Sequence, residues 1–185
     1  MWANRGSRGR VREAGAAIRV TASRVPPVVH VSRRRFAAPA SQLGALIPRL
    51  GTPTDAIWPR HRWPPMELAS HEVGAEGRHG PVRYVVEERV AGERIRFRFT
   101  APSGFVGHHE FTVIPDGEAA ILEHRIEMRT VGFAAFLWPC VLGPLHDALA
   151  ADAGATTARS IGEDAGDPAW SPWVRFLRFI ASVAG

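Results

Sequence analysis

The chain has 185 residues, of which 45% are hydrophobic and 22% charged, and this ordinary globular composition indicates one domain with short extensions. The net charge of +5 is concentrated at one end, because residues 1–35 contain nine arginines and one acid whereas residues 36–185 contain 14 arginines and 17 acids. The domain itself is therefore mildly acidic, so we expect no nucleic-acid partner. The single cysteine, Cys140, has no partner for an intrachain disulfide, which indicates a reducing, cytoplasmic environment.

The N-terminal segment Met1–Pro27 is rich in Arg, Gly and Ala and lacks the apolar stretch of a secretory signal. We interpret it as a disordered basic arm, with a contact to anionic lipid or RNA as the alternative. The rest of the chain divides into a domain, residues 28–159, and an extension, residues 160–185.

The domain is predicted to begin with a strand and a helix. Residues Val28–Phe36 alternate in character, with Val29 and Val31 on one side and His30 and Ser32 on the other. Pro39 opens a stretch of helical spacing that continues to Leu50.

A Trp- and Pro-rich segment, Thr54–Leu68, follows the helix. Its prolines exclude a long helix or a central strand, so a loop is predicted. Trp58 and Trp63 either pack beneath the sheet or line the entrance of a pocket.

Two strands joined at Ala91-Gly92 are predicted next. Large residues alternate along both, with arginines between those of the second strand. A two-residue turn gives three cross-strand pairs: Tyr84 with Phe99, Val86 with Phe97, and Glu88 with Ile95. The apolar faces of the two strands agree in this register, which supports it.

A second hairpin is predicted from Gly107–Ile114 to Glu118–Arg129, with its turn at Pro115-Asp116-Gly117. Counting residues outward from this turn along both strands sets Phe111 opposite Leu122. It also sets His109 opposite His124, so the two imidazoles are expected to face each other on a largely apolar side of the sheet.

The main helix is predicted over Phe133–Arg159. Its largest apolar residues recur at helical steps of four, three and four: Trp138, Leu142, Leu145 and Leu149. The first half is apolar on nearly every side, which is typical of a buried helix. Pro139 and Pro144 predict either a start near Pro139 or a kink between the two prolines.

These elements give the order strand, helix, loop, four-strand antiparallel meander and long helix, which predicts an α+β fold with one sheet face covered. The segments AAPASQLGALIPRL, GRHGPVRYVVEE, RIRFRF, LEHRIEMR and WPCVLGPLHDAL resemble the SRPBCC superfamily over roughly residues 28–158. That group includes START domains, Bet v 1-like proteins and bacterial proteins of the polyketide cyclase/dehydrase type. The resemblance implies a helix-grip fold, in which a curved antiparallel sheet wraps a long C-terminal helix around an elongated hydrophobic cavity.

His109 and His124 are the candidate catalytic residues, because imidazole serves as acid, base or ligand contact near neutral pH. They would orient a carbonyl or phenol, or abstract a proton beside a carbonyl. The alternative is that both are structural histidines at the sheet rim. The candidate ligand-binding residues lie on the same face, the helix or the loop: Tyr84, Glu88, Phe97, Phe99, Phe111, Trp138, His146, Trp58 and Trp63. No metal-ligand spacing or cofactor fingerprint is present, so neither a metal nor a cofactor is predicted.

The extension ends in WSPWVRFLRFIASVAG, where Trp173, Phe176, Leu177 and Ile180 share a helical face. This amphipathic helix is expected either to dock on its own domain or a second subunit, or to lie in a membrane interface.

Three functions remain open from the sequence. The leading prediction is a protein that binds a hydrophobic small molecule, such as a lipid, a polyketide-like compound or an aromatic compound. An enzyme of the cyclase or dehydratase kind, using the cavity histidines, is the alternative. A co-chaperone or interaction module, whose cavity is filled by its own side chains, is the third.

Overall fold

A computed structural model describes residues 27–183, so the predicted N-terminal arm lies outside the described residues except for Pro27. Seven strands form one antiparallel sheet in the order β1-β7-β6-β5-β4-β3-β2. Their bounds are β1 Val28–Phe36, β2 Glu67–Leu68, β3 Glu76–His79, β4 Val82–Val90, β5 Arg94–Ala101, β6 Phe105–Asp116 and β7 Ala119–Thr130.

The helical elements are short at the start of the chain and long at its end. Helix α1, Ala40–Gly44, and a 3₁₀ turn, Ile47–Arg49, replace the single helix predicted through Leu50. The long helix spans Ala134–Ser160 and consists of α2 Ala134–Leu137, a π-helical turn Trp138–Leu142, and α3 Gly143–Ser160. Helix α4 spans Pro172–Val183.

The curved sheet and the long helix form the helix-grip fold, which confirms the predicted α+β class. Strands β2 and β3 were not predicted. Strand β2 has two residues, and β3 has four residues of the sequence EGRH, so neither carries the alternating apolar residues from which a strand is recognised.

The hairpin β4–β5 keeps the predicted register only in its first part. Tyr84 pairs with Phe99 and Val86 with Phe97, but Glu88 pairs with Arg96 instead of Ile95. A β-bulge between Val86 and Glu88 inserts an extra residue, which reverses the side of the sheet that later residues face. The prediction that Glu88 shares the face of Tyr84 is therefore wrong.

The turn of the β6–β7 hairpin is centred one residue later than predicted, which moves each cross-strand partner by two residues. Strand β6 continues to Asp116 and β7 begins at Ala119, so the connecting residues are Gly117 and Glu118, with Gly117 at φ 64°. Phe111 is consequently the cross-strand partner of His124, and His109 is the partner of Ile126. Because side-chain direction repeats every two residues, this shift changes the cross-strand partners and preserves the faces.

The long helix, Ala134–Ser160, agrees with the predicted range Phe133–Arg159 to within one residue at each end, so the alternative start near Pro139 is wrong. The proline lies in the π-helical turn, which continues the helix without an interruption. By length and composition the helix could also span a membrane, a property that core helices of soluble proteins share.

The expectation that the first half of this helix is buried is wrong. Phe133, just before the helix, and Phe136 are 73% and 63% exposed. Only Ala134 and Gly143 are buried in the first half, and the other buried residues lie in the second half and are mostly small: Asp152, Ala153, Gly154, Ala155, Thr157 and Ala158. Small side chains let a helix backbone approach the sheet closely. The helix therefore contacts the sheet through its small residues and not through its large apolar ones.

Two hydrophobic clusters fill the space inside the sheet. The larger one includes Trp58 and Met66, both at most 4% exposed, so the loop residues pack against the sheet. The smaller one contains Phe99, Phe105, Ile126, Met128 and Ala134, with Trp138 and Leu142 packed against it.

The C-terminal extension docks on its own domain through the carboxylate of Asp152, which is 1% exposed. Asp152 accepts hydrogen bonds from Arg62 Nη1 at 2.6 Å, Trp63 Nε1 at 2.7 Å and Trp170 Nε1 at 2.9 Å. The guanidinium of Arg178 stacks on the indoles of Trp63 and Trp170. The opposite side of α4 remains exposed at Trp173, Phe176, Phe179 and Ile180.

Candidate functional site

A cavity of about 400 Å³ lies between strands β1, β6 and β7 and helix α3. Its apolar wall is formed by Phe36, Trp58, Phe111, Leu122 and Leu149. Polar side chains line the remainder, among them Ser32, Arg34, His124 and His146. The site is thus mostly apolar, with a few polar groups, as in pockets for small molecules.

The long helix leaves this space open because it presents small residues to it. Ala150, Ala151, Ala153 and Gly154 are all part of the cavity wall. Larger residues at these positions would fill the gap between the helix and the sheet.

Five of the eight histidines form a row of contacting rings that passes the cavity. His30 lies 4.7 Å from His146 between ring centroids, and His146 lies 4.8 Å from His124. His124 Nε2 is 3.4 Å from His109 Nδ1. The ring of His109 is 6.1 Å from that of His79, whose Nδ1 is 3.3 Å from the hydroxyl of Tyr84.

Burial keeps four of these imidazoles neutral at pH 7: His79, His109, His124 and His146. It lowers the pKa of His146 to about 3 and that of His79 to about 4, the latter with a smaller contribution from Arg83. Burial also lowers the pKa values of His109 and His124 well below the ordinary value, and neighbouring histidines add to this. For Tyr84, burial raises the pKa, so its hydroxyl remains protonated.

Several ring nitrogens of this row are buried without a hydrogen-bond partner in the described part of the chain: His30 Nδ1, His109 Nε2, His124 Nδ1 and His146 Nδ1. A buried polar atom without a partner costs about 1–3 kcal/mol. Structures retain such atoms chiefly where an additional group or a function requires them. The histidine row is therefore the best candidate for polar chemistry beside the cavity.

The predicted residues divide into three groups. Trp58, Phe111, His124 and His146 line the cavity. Tyr84, Phe97, Phe99 and His109 are at most 9% exposed and pack on one another in the core behind it, with His109 stacked on both phenylalanines. The remaining three lie elsewhere: Glu88, Trp63 and Trp138.

Each of those three positions has a physical cause. Glu88 forms ion pairs with Arg94 and Arg96 on the other side of the sheet, because of the bulge. Trp63 is held by Asp152 and the extension. Trp138 packs on the smaller hydrophobic cluster, next to the exposed half of the long helix.

Strand β1 supplies residues that the sequence reasoning did not assign to the site. His30, Ser32, Arg34 and Phe36 are at least half-buried and face inwards, while Val29 and Val31 are 53% and 37% exposed. The polar half of the alternation thus faces the cavity. The sequence of β1 does alternate with a period of two, but this periodicity alone does not show which side of an edge strand faces inwards.

Within residues 27–183, no group of three or more His, Cys, Asp or Glu side chains is arranged to hold a metal ion. The row of histidines brings its rings together in pairs, so it does not converge on one point.

No family model and no curated protein matches the sequence. Solved structures match its fold. Norcoclaurine synthase from Thalictrum flavum is 13% identical, with a TM-score of 0.56 over 76% of this chain and 89% of that one. CalU16 from Micromonospora echinospora is 11% identical, with a TM-score of 0.52 over 72% and 78%. A protein from Thermobifida fusca is 18% identical, with a TM-score of 0.54 over 76% and 99%. These likenesses show the helix-grip fold that the sequence resemblance implied.

Proposed function

We propose that the protein binds a small, largely hydrophobic molecule in the cavity between the sheet and helix α3. The observation that carries this proposal is the combination of an apolar wall with half-buried, neutral imidazoles in one open space. A neutral imidazole offers one donor and one acceptor, so it can orient a hydroxyl or carbonyl group without requiring a charged ligand.

The size of the cavity supports a single small ligand. Pockets for small molecules measure about 300–1,000 Å³, and this one is near the lower end of that range. The open space also argues against a co-chaperone or interaction module whose cavity is filled by the protein's own side chains.

The solved structures of this fold are consistent with such a role. One of them is norcoclaurine synthase in complex with a transition-state analogue, at 14% identity to this chain. That complex concerns a point mutant of norcoclaurine synthase, and it supports the proposal only in that this fold can hold a small molecule.

Binding can be tested with N-phenyl-1-naphthylamine, a neutral probe whose fluorescence rises in apolar surroundings. The wild-type protein is expected to bind it with saturation. Ala150 lines the cavity, so Ala150→Trp is expected to abolish binding by filling the space. Ala45 is exposed, and Ala45→Trp serves as the matched control that retains it. Equal binding by both variants would place the probe outside the cavity and contradict the proposal.

An acid–base enzyme is the second candidate, favoured by the unpaired nitrogens of His124 and His146. In that reaction a neutral imidazole would take a proton from the carbon beside a ligand carbonyl, and the bonding electrons would move to the oxygen as an enolate. The low pKa values weaken this candidate, because a general base works best with a pKa near the working pH.

The two candidates differ in a deuterium-exchange experiment with 2-acetonaphthone in D₂O. An enzyme would exchange the methyl protons, and His124→Phe would slow this by about 100-fold or more. A binding protein would show no acceleration, and His124→Phe would retain affinity for the neutral probe.

A further inference from the structure

Arg34 lies inside the space between the sheet and the long helix. Its guanidinium carbon is 5.4 Å from the ring centre of Phe36, and both residues line the cavity. Its side chain passes directly beneath Gly154 of α3, where a Cβ atom would lie 2.8 Å from Arg34 Cδ. The helix therefore has no side chain at the point where this arginine needs room.

The arginines on either side of Arg34 are neutralised, and Arg34 is not. Arg33 donates to Glu123 at 2.5 Å, and Arg35 donates to Asp116 at 2.6 Å. Among residues 27–183, no carboxylate lies within 4.0 Å of the Arg34 guanidinium. A permanently charged, half-buried group thus faces the cavity with its donors available.

No carboxylate that lines the cavity pairs with it. Asp147 is the one carboxylate among the lining residues, but its side chain is 68% exposed to solvent and is hydrogen-bonded to His30 Nε2 at 2.7 Å. His124 and His146 contribute no positive charge at neutral pH. The cavity wall therefore carries a local excess of positive charge at Arg34, next to the hydroxyl of Ser32, two residues earlier on the same face of β1.

From this arrangement we infer that the ligand is an apolar acid, whose carboxylate or similar anionic group binds Arg34 and Ser32 while its hydrophobic body occupies the wall around Phe111, Leu122 and Leu149. The inference rests on the proposed function and specifies its ligand class. A guanidinium can give a carboxylate two parallel hydrogen bonds, which fixes the orientation of the ligand as well as its charge.

Two naphthalenes of nearly equal shape test the inference: naphthalene-2-carboxylate, an anion at pH 7.5, and the neutral naphthalene-2-carboxamide. Each is titrated as a competitor of N-phenyl-1-naphthylamine. The wild-type protein is expected to bind the acid about 10-fold to 100-fold more tightly, the range that a charge-assisted hydrogen bond gives.

Arg34→Gln is expected to weaken binding of the acid far more than binding of the amide, and so to remove this preference. Arg35→Gln is the matched control, because Arg35 points away from the cavity and pairs with Asp116. Arg34→Lys retains the charge without the planar fork and is expected to keep part of the preference. Circular dichroism establishes that each variant is folded.

Equal affinity of the wild-type protein for acid and amide would overturn the inference and leave the proposed function intact. An acid preference that survives in Arg34→Gln would overturn it as well. If neither compound nor the neutral probe bound to the wild-type protein, the proposed function itself would fail.

Discussion

Neutral, buried histidines make the stability of this protein depend on pH. His79, His109, His124 and His146 bind no proton in the folded state until the pH reaches their lowered pKa values. In the unfolded chain they bind one near pH 6.5. The unfolded state therefore holds more protons below that pH, so stability falls as the pH falls from about 6.5 towards about 4.

Urea denaturation at pH 7.5, 6.0 and 5.0 measures this loss. Each additional proton should lower the free energy of unfolding by about 1.4 kcal/mol per pH unit. His109→Phe should reduce the slope by one proton, since the ring lies among Phe97 and Phe99. His61, whose side chain is 48% exposed, gives the control His61→Phe, which is expected to change the slope less than His109→Phe does. A stability that does not vary with pH would refute this prediction.

A single buried carboxylate fixes the C-terminal extension. Asp152→Ala removes the shared acceptor of Arg62, Trp63 and Trp170, and it leaves the partly buried guanidinium of Arg62 with only the carbonyl of Pro168 and the more distant carboxylate of Asp167. We expect a loss of about 3–5 kcal/mol and faster proteolysis between residues 160 and 172. Asp164→Ala, at an exposed position, is the matched control. Equal stability and equal proteolysis of the two variants would show that the extension is not held by Asp152.

At the scale of elements, the long helix contacts the sheet through its small residues. Ala158 is fully buried in the larger hydrophobic cluster, whereas Leu145 is only half-buried and belongs to neither cluster. Ala158→Leu should therefore cost about 1–3 kcal/mol by overpacking. Leu145→Ala should cost less than the roughly 2 kcal/mol minimum of a fully buried leucine. Thermal or urea unfolding gives both values. No loss of stability in Ala158→Leu, together with a loss above about 2 kcal/mol in Leu145→Ala, would contradict the observed packing.

The faces and the order of the long strands could be predicted from the sequence, because a period of two survives any even shift in register. His109 and His124 illustrate this, since their rings lie on one face and in contact although neither is the cross-strand partner of the other. Glu88 illustrates the limit. A bulge changes the period by one residue, and nothing in the local sequence marks the extra residue at Glu87.

For the molecule as a whole, the fold could be predicted, but only part of the cavity wall could be: Trp58, Phe111, His124 and His146. The helical stripe of large residues suggested a buried first half, but the curved sheet meets the second half, where Ala155 and Ala158 are fully buried. Such a contact depends on the distance between helix and sheet, which hydrophobic spacing does not encode. The cavity wall on β1, including Ser32 and Arg34, follows from the same three-dimensional arrangement.

The exposed apolar side of α4 provides a second surface on which a hydrophobic probe could bind. The proposed function therefore requires that the probe be located in the cavity. Leu122 and Leu149 line the cavity, whereas Ile180 lies on the exposed side of α4 and is 49% exposed. The most direct measurement is an NMR experiment on protein with ¹³C-labelled Leu and Ile methyl groups and bound N-phenyl-1-naphthylamine. Binding in the cavity predicts nuclear Overhauser effects from the probe to Leu122 and Leu149. Effects to Ile180 without any to these two leucines would contradict it.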